Sequence, residues 1–216
     1  METEITAQIL CSREAATGIL EKKGFYFKEK FLLIDHYFTH LKLEPDIEYK
    51  HLMENSFILR DAEFNRRYGG VSSSTLIYKD KLFDERGAIV GEAKKKCDVT
   101  CSHAAEEIFL MAGLTEWCLK SVNGYVFKKG EHEILLQEVD DLGLFLEIEE
   151  FESQHNEPEE KKIEELIKFA KALGLPLGDC FNVRISYLLF KKEMEIAQKA
   201  AEEAVKVDLK LVAEED

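Results

Sequence analysis

Polar and apolar residues alternate with a period of two in residues 2–9 and again in residues 143–149. This period is typical of a β-strand whose two faces meet different surroundings, because successive side chains of a strand point to opposite sides. In both segments the polar face carries acids. Two pairs of glutamates therefore share a strand face, Glu2 with Glu4 and Glu147 with Glu149.

Further apolar runs, bounded by turn residues, predict more strands between these two segments. They cover residues 31–38, 55–63, 74–79, 87–99, 117–127 and 132–139. The basic and glycine-containing residues 66–70 (RRYGG) separate two of these runs. Such a connection is typical of a hairpin, so we expect the runs at 55–63 and 74–79 to pair antiparallel.

Helical patterns alternate with these strands, and several of them stop at a glycine, which is common just after a helix C-terminus. They are residues 12–23 before Gly24, residues 103–112 between Ser102 as N-cap and Gly113, the run that follows Asn156 and Pro158 and stops at Gly174, and residues 191–216. The order is strands, helix, strands, helix, which predicts an α+β protein. The last segment is rich in Ala, Glu and Lys, and we expect it to form a charged helix outside the core.

The composition is that of a soluble globular protein, with 45% hydrophobic and 33% charged residues in a chain of 216. One domain with an extension, or two small domains, fits this length. The apolar stretches are too short to cross a membrane, and the first residues lack the pattern of a signal peptide. We therefore expect a cytoplasmic protein that does not associate with membranes.

The formal net charge of −14 is concentrated in two segments. Residues 147–165 contain nine acids and two lysines, and residues 193–216 contain eight acids and three lysines. The remainder is close to neutral, so a locally basic cavity for an anionic small ligand is compatible with the composition. We do not expect a nucleic-acid-binding surface, which needs a concentration of Lys and Arg.

The five cysteines are irregularly spaced, and this pattern favours reduced thiols over a disulfide framework. Cys97, Cys101 and His103 could supply three zinc ligands, but the paired CxxC of a structural zinc site is missing. We therefore expect buried free cysteines and no zinc there. His36, beside Asp35, is interpreted as a strand residue rather than a catalytic base.

The two glutamate pairs are the clearest candidates for chemistry. Side-by-side carboxylates on a rigid strand suit a hard divalent cation, although a single pair of this kind is more often a solvated strand face. Arg60, Lys79 and Lys120 each close an apolar, strand-like run. Together with the glutamates they could line a cavity in which a metal and several cations neutralise a polyphosphate.

These residues resemble the motifs of the CYTH domains, or triphosphate tunnel metalloenzymes, which include class IV adenylyl cyclases and thiamine triphosphatases. The resemblance covers residues 2–190. Its most specific part is the run LGLFLEIE at residues 142–149. The other matches are the ExE start at residues 2–4, IDHYF at 34–38, FILR at 57–60, LIYK at 76–79, Lys120 with Tyr125, and SYLL at 186–189.

The resemblance implies an eight-stranded antiparallel β-barrel flanked by helices, with a triphosphate held in its lumen. Residues 1–190 would form this CYTH-like barrel domain, and residues 191–216 a charged C-terminal helical extension. The implied cofactor is Mg²⁺ or Mn²⁺, bound by Glu2, Glu4, Glu147 and Glu149. Glu2, Glu4, Lys79 and Lys120 would be catalytic, and substrate would be bound by Arg60, Lys79, Glu92, Lys94, Lys120 and Tyr125. The chain could act as a homodimer.

The implied function is metal-dependent processing of an organic triphosphate, as in a class IV adenylyl cyclase that converts ATP to cyclic AMP and pyrophosphate. Two alternatives stay open: a triphosphatase acting on thiamine triphosphate or inorganic triphosphate, and a barrel that binds nucleotide or polyphosphate without turnover. The second alternative is favoured by departures from the family pattern. Thr6, Val90, Val122 and Gln137 stand where the family has charged residues. Lys94, on the same predicted strand face as Glu92, or Arg66 and Arg67 could restore lost charge.

Overall fold

The computed structural model describes residues 3–66, 69–83, 89–154 and 157–213. Within these ranges it describes only the backbone of residues 65–66, 69–71, 80, 82–83, 89–92, 152, 201 and 203–213. None of the helices among the described residues is long and apolar enough to cross a membrane.

Eight strands and five α-helices follow one another within these described ranges. The strands are β1 (Glu4–Ile9), β2 (Tyr26–Thr39), β3 (Ser56–Arg66), β4 (Gly69–Phe83), β5 (Ile89–Val99), β6 (Thr115–Lys129), β7 (His132–Val139) and β8 (Gly143–Glu149). The helices are α1 (Arg13–Lys22), α2 (Tyr49–Glu54), α3 (Ser102–Met111), α4 (Glu159–Ala172) and α5 (Ile185–Ala213).

All eight strands belong to one antiparallel sheet in the order β1-β8-β7-β6-β2-β3-β4-β5. The pairing of β3 with β4 confirms the hairpin predicted around residues 66–70, of which residues 67–68 lie outside the described part. The eight-stranded antiparallel fold expected from the sequence motifs is thus confirmed. The sheet is strongly curved, since residues of both edge strands line one cavity.

The two edge strands, β1 and β5, do not pair with each other among the described residues, so hydrogen bonds between strands do not close the barrel. The segment 176–183 lies along the edge of β1 instead. The amide of Thr6 donates to the carbonyl of Phe181, and the amide of Val183 donates to the carbonyl of Thr6. Helix α4 contacts β1, β8 and β5, and so bridges the two edges.

The largest hydrophobic cluster covers the outer face of β1, β7 and β8. Leu146 and Ile148 are buried there on the strand, against Leu20 of α1 and Leu166 of α4. Their neighbours Glu147 and Glu149 point to the opposite face, as the alternation predicts. Burying one face of β8 under two helices therefore fixes the direction of its glutamates.

A second cluster joins β2, β3, β4 and β6 to the start of α5. Trp117 and Tyr37 pack with their ring centroids 5.1 Å apart, and Phe190 meets Trp117 edge-on at 5.9 Å. All three are buried. The predicted domain boundary between residues 190 and 191 falls inside the continuous helix α5. That the residues beyond this boundary are not needed for folding stays a prediction.

Several predicted helix ends are confirmed by backbone geometry. Gly24, Gly113 and Gly174 all have positive φ angles, of 86°, 83° and 76°, after α1, α3 and α4. The predicted N-cap of α3 is wrong: Ser102 is the first helical residue and Cys101 takes the cap position without a side-chain hydrogen bond. Helix α2 was not expected, because its six residues are too short to show a helical period.

The expected burial of the free cysteines is confirmed for Cys118 and wrong for Cys97, Cys101 and Cys180, which are exposed.

Candidate active site

One cavity of about 170 Å³ lies inside the curved sheet, below the connection between α4 and α5. Its charged lining residues come from six of the eight strands, from the start of α4 and from the residue just before α5. The acids are Glu4, Glu147, Glu149 and Glu159, and the cations are Arg60, Lys79, Lys81, Lys94, Lys120 and Arg184.

Strand pairing brings the carboxylates together at one end of this cavity. Glu4 of β1 stands directly opposite Glu149 of β8, and Thr6 stands opposite Glu147. Glu4, Glu147 and Glu149 each place a carboxylate oxygen within 4.8 Å of the other two. Three oxygen donors at this spacing, on two paired strands, fit the ligand preferences of Mg²⁺ and Mn²⁺.

Glu147 is the central member of this group. The amide Nε2 of the buried Gln137 donates a hydrogen bond to its Oε2. Burial and the nearby charge of Glu4 raise the pKa of Glu147 to about 7, although the charge of Lys120 acts against this rise. Without a cation the three acids repel each other, and a divalent cation would relieve that repulsion.

The cations Arg60 and Lys120 are held in the wall of the cavity by Asp35. β2 lies between β3 and β6, so Asp35 faces Arg60 on one side and Lys120 on the other. Arg60 donates from Nε to Oδ1 at 2.6 Å and from Nη2 to Oδ2 at 2.8 Å, while Nζ of Lys120 lies 3.1 Å from Oδ2. Asp35 is fully buried. Burial alone would raise the pKa of Asp35, but Lys120 and Arg60 hold it well below its usual range.

The remaining cations line the cavity from β4 and β5, which follow β3 in the sheet, and from the covering side. Lys79 of β4 stands directly opposite Lys94 of β5, and both line the cavity together with Lys81. Arg184, just before α5, lines it from the covering side and lies with its guanidinium carbon 5.2 Å from the ring centre of Tyr49. The cavity therefore has an acidic end and a cationic wall, which is the charge pattern expected for a metal-bound polyphosphate.

The structure brings most of the predicted site residues together. Glu4, Arg60, Lys79, Lys94, Lys120, Glu147 and Glu149 all line the cavity. Glu2 lies outside the described residues, and so does the side chain of Glu92. The roles assigned to these residues stay predictions.

Tyr125 is not among the predicted site residues that line the cavity. It lies five residues after Lys120 on the regular part of β6, and an odd separation places two strand residues on opposite faces. Its ring packs against the outer hydrophobic cluster, and its hydroxyl lies 3.3 Å from Oε2 of Glu138. The expected place of Tyr125 at the substrate is therefore wrong, and the odd spacing from Lys120 could have shown this.

The positions that depart from the family pattern have different surroundings. Thr6 and Gln137 line the cavity beside the acids. Val122 is buried in an apolar cluster with Val139, Phe145 and Ile185, so this part of the lumen is filled with hydrocarbon. Val90 has no described side chain.

Some residues that line the cavity or support its wall were not predicted as site residues. Asp35 belongs to the IDHYF run, but its role in holding two cations depends on the order of three strands, which the sequence does not reveal. Lys81 lies two residues after Lys79, and residues at this separation share one face of a strand. The sequence could therefore have indicated that Lys81 points into the cavity with Lys79. Arg184 and Glu159 reach the cavity from the ends of helices, where periodicity gives no indication.

Comparisons with known proteins give information on the fold. No protein-family model and no curated protein matches the sequence. Among solved structures, the PH1819 protein from Pyrococcus horikoshii OT3 has a similar fold, with a TM-score of 0.66 and 22% identity over 90% of this chain and 99% of that chain.

Two further structures are similar at lower identity. HpAC1 from Hippeastrum, an adenylyl cyclase candidate described with a dominant triphosphatase activity, gives a TM-score of 0.54 and 15% identity over 89% of this chain and 96% of that chain. A chain of the Schizosaccharomyces pombe Mediator head module gives 0.52 and 11% over 85% of this chain and 100% of that chain. The chain therefore has the fold of the CYTH domain proteins that its motifs resemble. A shared fold does not define an activity, which must be argued from the site.

Proposed function

We propose that this protein processes an organic triphosphate in the cavity of its sheet, with Mg²⁺ or Mn²⁺ as cofactor. The observation that carries the proposal is the meeting of Glu4, Glu147 and Glu149 within 4.8 Å at the acidic end of a cavity whose wall is cationic. Neither feature alone requires a triphosphate. Together they fit a ligand that binds a metal with some phosphate oxygens and cations with the others.

The three carboxylates would hold the cation through their oxygens. When bound, the cation would supply Lewis-acid polarisation of the phosphoryl oxygens. Gln137 keeps Glu147 in place by its hydrogen bond. Because the pKa of Glu147 is raised to about 7, binding of a cation near neutral pH would release part of a proton from this group.

Arg60 and Lys120 would contact the phosphates from a fixed position. Their bonds to Asp35 orient both heads before a ligand arrives, so little reorganisation is needed when charge develops on the phosphoryl oxygens. Lys79, Lys81 and Lys94 add positive charge on the adjoining strands. The place of Lys94 in the lining supports its proposed role as a substitute for a family cation.

The attacking group decides between the two reactions that such a site can support. In cyclisation the 3′-hydroxyl of ATP attacks the α-phosphorus and pyrophosphate leaves. In hydrolysis water attacks the terminal phosphorus, the diphosphate part of the substrate leaves, and the terminal phosphoryl group is released as inorganic phosphate. The motif resemblance favours cyclisation, and the triphosphatase activity described for HpAC1 favours hydrolysis. Both use the same metal end and cationic wall.

The experiment that tests the proposal is product analysis after incubation with ATP, tripolyphosphate and thiamine triphosphate, each with Mg²⁺ and with Mn²⁺. Cyclic AMP with pyrophosphate identifies a cyclase, and phosphate release identifies a triphosphatase. Glu149→Gln should reduce either product strongly, and Glu160→Gln, an exposed acid of α4, serves as the matched control. Binding of all three compounds without any product would contradict processing and leave a binding protein.

A further inference from the structure

A second group of potential metal ligands lies on the outside of the sheet. His36 of β2, Glu106 of α3 and Glu116 of β6 each place a donor atom within 4.8 Å of the other two. Nδ1 of His36 lies 2.8 Å from Oε1 of Glu116. All three residues are half-buried.

This group is separate from the cavity. His36 lies between Asp35 and Tyr37, and both of these neighbours are directed to the inner side of the sheet. Successive strand residues point to opposite faces, so His36 points outward. Its ring stacks on that of Phe38, with centroids 6.3 Å apart, and Phe38 packs against Phe109 of α3.

A β-bulge brings Glu116 to this outer face. The register between β6 and β2 changes from Cys118 opposite Tyr37 to Glu116 opposite Phe38, which makes Trp117 the extra residue. Without that extra residue Glu116 would point to the other side, because a shift of one position exchanges the two faces. The bulge thus buries Trp117 in the second hydrophobic cluster and directs Glu116 towards His36.

The charge of the group also favours a cation. Two carboxylates meet one imidazole, and burial together with the charge of Glu116 raises the pKa of Glu193 on the nearby helix α5. With both carboxylates ionised and the imidazole neutral, the group carries a net negative charge. A donor set of one imidazole and two carboxylates suits a transition metal such as Zn²⁺ better than Mg²⁺, which prefers oxygen ligands alone.

We propose that His36, Glu106 and Glu116 form a second metal site, for Zn²⁺ or a similar transition-metal ion, that attaches α3 to the sheet. Helix α3 has no fully buried residue and lacks a side-chain N-cap bond. Its apolar contact with the sheet is made by Phe109, which packs on Phe38 and Phe57. An ion held by Glu106 and the two sheet residues would be a cross-link between the helix and β2 and β6.

The test is calorimetric titration of the full chain with Zn²⁺ in the presence of excess Mg²⁺, which we expect to occupy the carboxylates of the cavity. We expect one Zn²⁺ site whose affinity falls at least about tenfold in Glu106→Gln and in His36→Gln, since each removes a ligand. The matched control is Glu107→Gln on the same helix. Glu107 is exposed, and its Oε1 lies 3.7 Å from Nε2 of His103, so these two residues are a competing surface site.

Amide hydrogen exchange gives a second measurement that does not depend on activity. Zn²⁺ should slow exchange in α3 of the wild type and of Glu107→Gln, but not of Glu106→Gln, because only Glu106 links the helix to the ion. Unchanged Zn²⁺ affinity in both Glu106→Gln and His36→Gln would overturn the proposal. Loss of binding in Glu107→Gln would likewise overturn it and assign the ion to the His103 pair.

Discussion

Arg60 binds the fully buried carboxylate of Asp35 through two hydrogen bonds, of 2.6 and 2.8 Å. Lys120 approaches the same carboxylate from the neighbouring strand at 3.1 Å. Asp35 is thus a positioning residue for two cations of the cavity wall. A guanidinium and an ammonium carry more N–H donors than these bonds use, so both heads can still bind a phosphate.

Replacement of Asp35 by Asn should destabilise the protein strongly. The substitution keeps the shape of the side chain but leaves Arg60 and Lys120 without their buried counter-charge. We expect the free energy of unfolding to fall by about 3–5 kcal/mol in urea titrations. Asp179→Asn changes an exposed acid and should stay within about 0.5 kcal/mol of the wild type. Equal stability of the two variants would show that the buried pairing contributes little.

Replacement of Glu147 by Gln should stabilise the metal-free protein, and more so at high pH. The pKa of Glu147 is raised from 4.5 to about 7 in the folded state. Such a group costs stability as pH rises from its unfolded pKa through its folded pKa, because folding then opposes ionisation. The neutral Gln lacks this cost.

The gain in unfolding free energy of Glu147→Gln over the wild type should therefore grow between about pH 5 and pH 8, by on the order of 1–2 kcal/mol after allowance for solvent screening. The measurement is urea unfolding in a chelator at both pH values. Glu160→Gln on the surface of α4 is the control and should show no such growth. A gain that is the same at both pH values would contradict the raised pKa.

Gly124 should be required for stability, because the ring of Phe31 occupies the space that a larger side chain would need. A Cβ atom built at Gly124 would lie far inside contact distance of Cζ of that ring. We expect Gly124→Ala to cost about 1–3 kcal/mol by overpacking. The cost should largely disappear when Phe31 is already Ala, so a double-mutant cycle measures it.

Gly178→Ala offers a matched control for this cycle, because its Cβ would meet only ordinary contacts at 3.7 and 3.8 Å. A substitution there should change stability by no more than about 0.5 kcal/mol. If Gly124→Ala were equally tolerated in the wild type, the ring of Phe31 would have to lie elsewhere.

A chain that ends at Lys192 should still melt cooperatively. It keeps Phe190, which is buried against Trp117, and loses a more charged part of α5, in which the described side chains after residue 194 are exposed. Phe190→Ala in the full chain should instead cost about 3–5 kcal/mol, because it removes a core aromatic ring. Loss of the cooperative melt on truncation would show that the distal helix belongs to the folding unit.

The sequence predicts those parts of this fold that depend on local patterns. Alternation in residues 143–149 correctly placed Glu147 and Glu149 on the face opposite Leu146 and Ile148, because β8 has one face covered by helices. Glycines after α1, α3 and α4 gave the helix ends, since only a residue that tolerates positive φ fits there.

The parts that sequence could not give depend on non-local pairing. Asp35 holds Arg60 and Lys120 only because β2 lies between β3 and β6, and this order is not a local property. The covering of the β1 edge is similar, because segment 176–183 bonds to β1 without a strand-like alternation of its own. The bulge at Trp117 also escaped prediction, because a single extra residue does not disturb an apolar run.

The most direct test of the account is calorimetric titration of tripolyphosphate into the protein with and without Mn²⁺. We expect binding that is at least about tenfold tighter with Mn²⁺ in the wild type, and this metal dependence should be lost in Glu149→Gln and kept in Glu160→Gln. Binding that is equally tight without the cation, or a metal dependence that survives in Glu149→Gln, would contradict a metal and triphosphate site in this cavity.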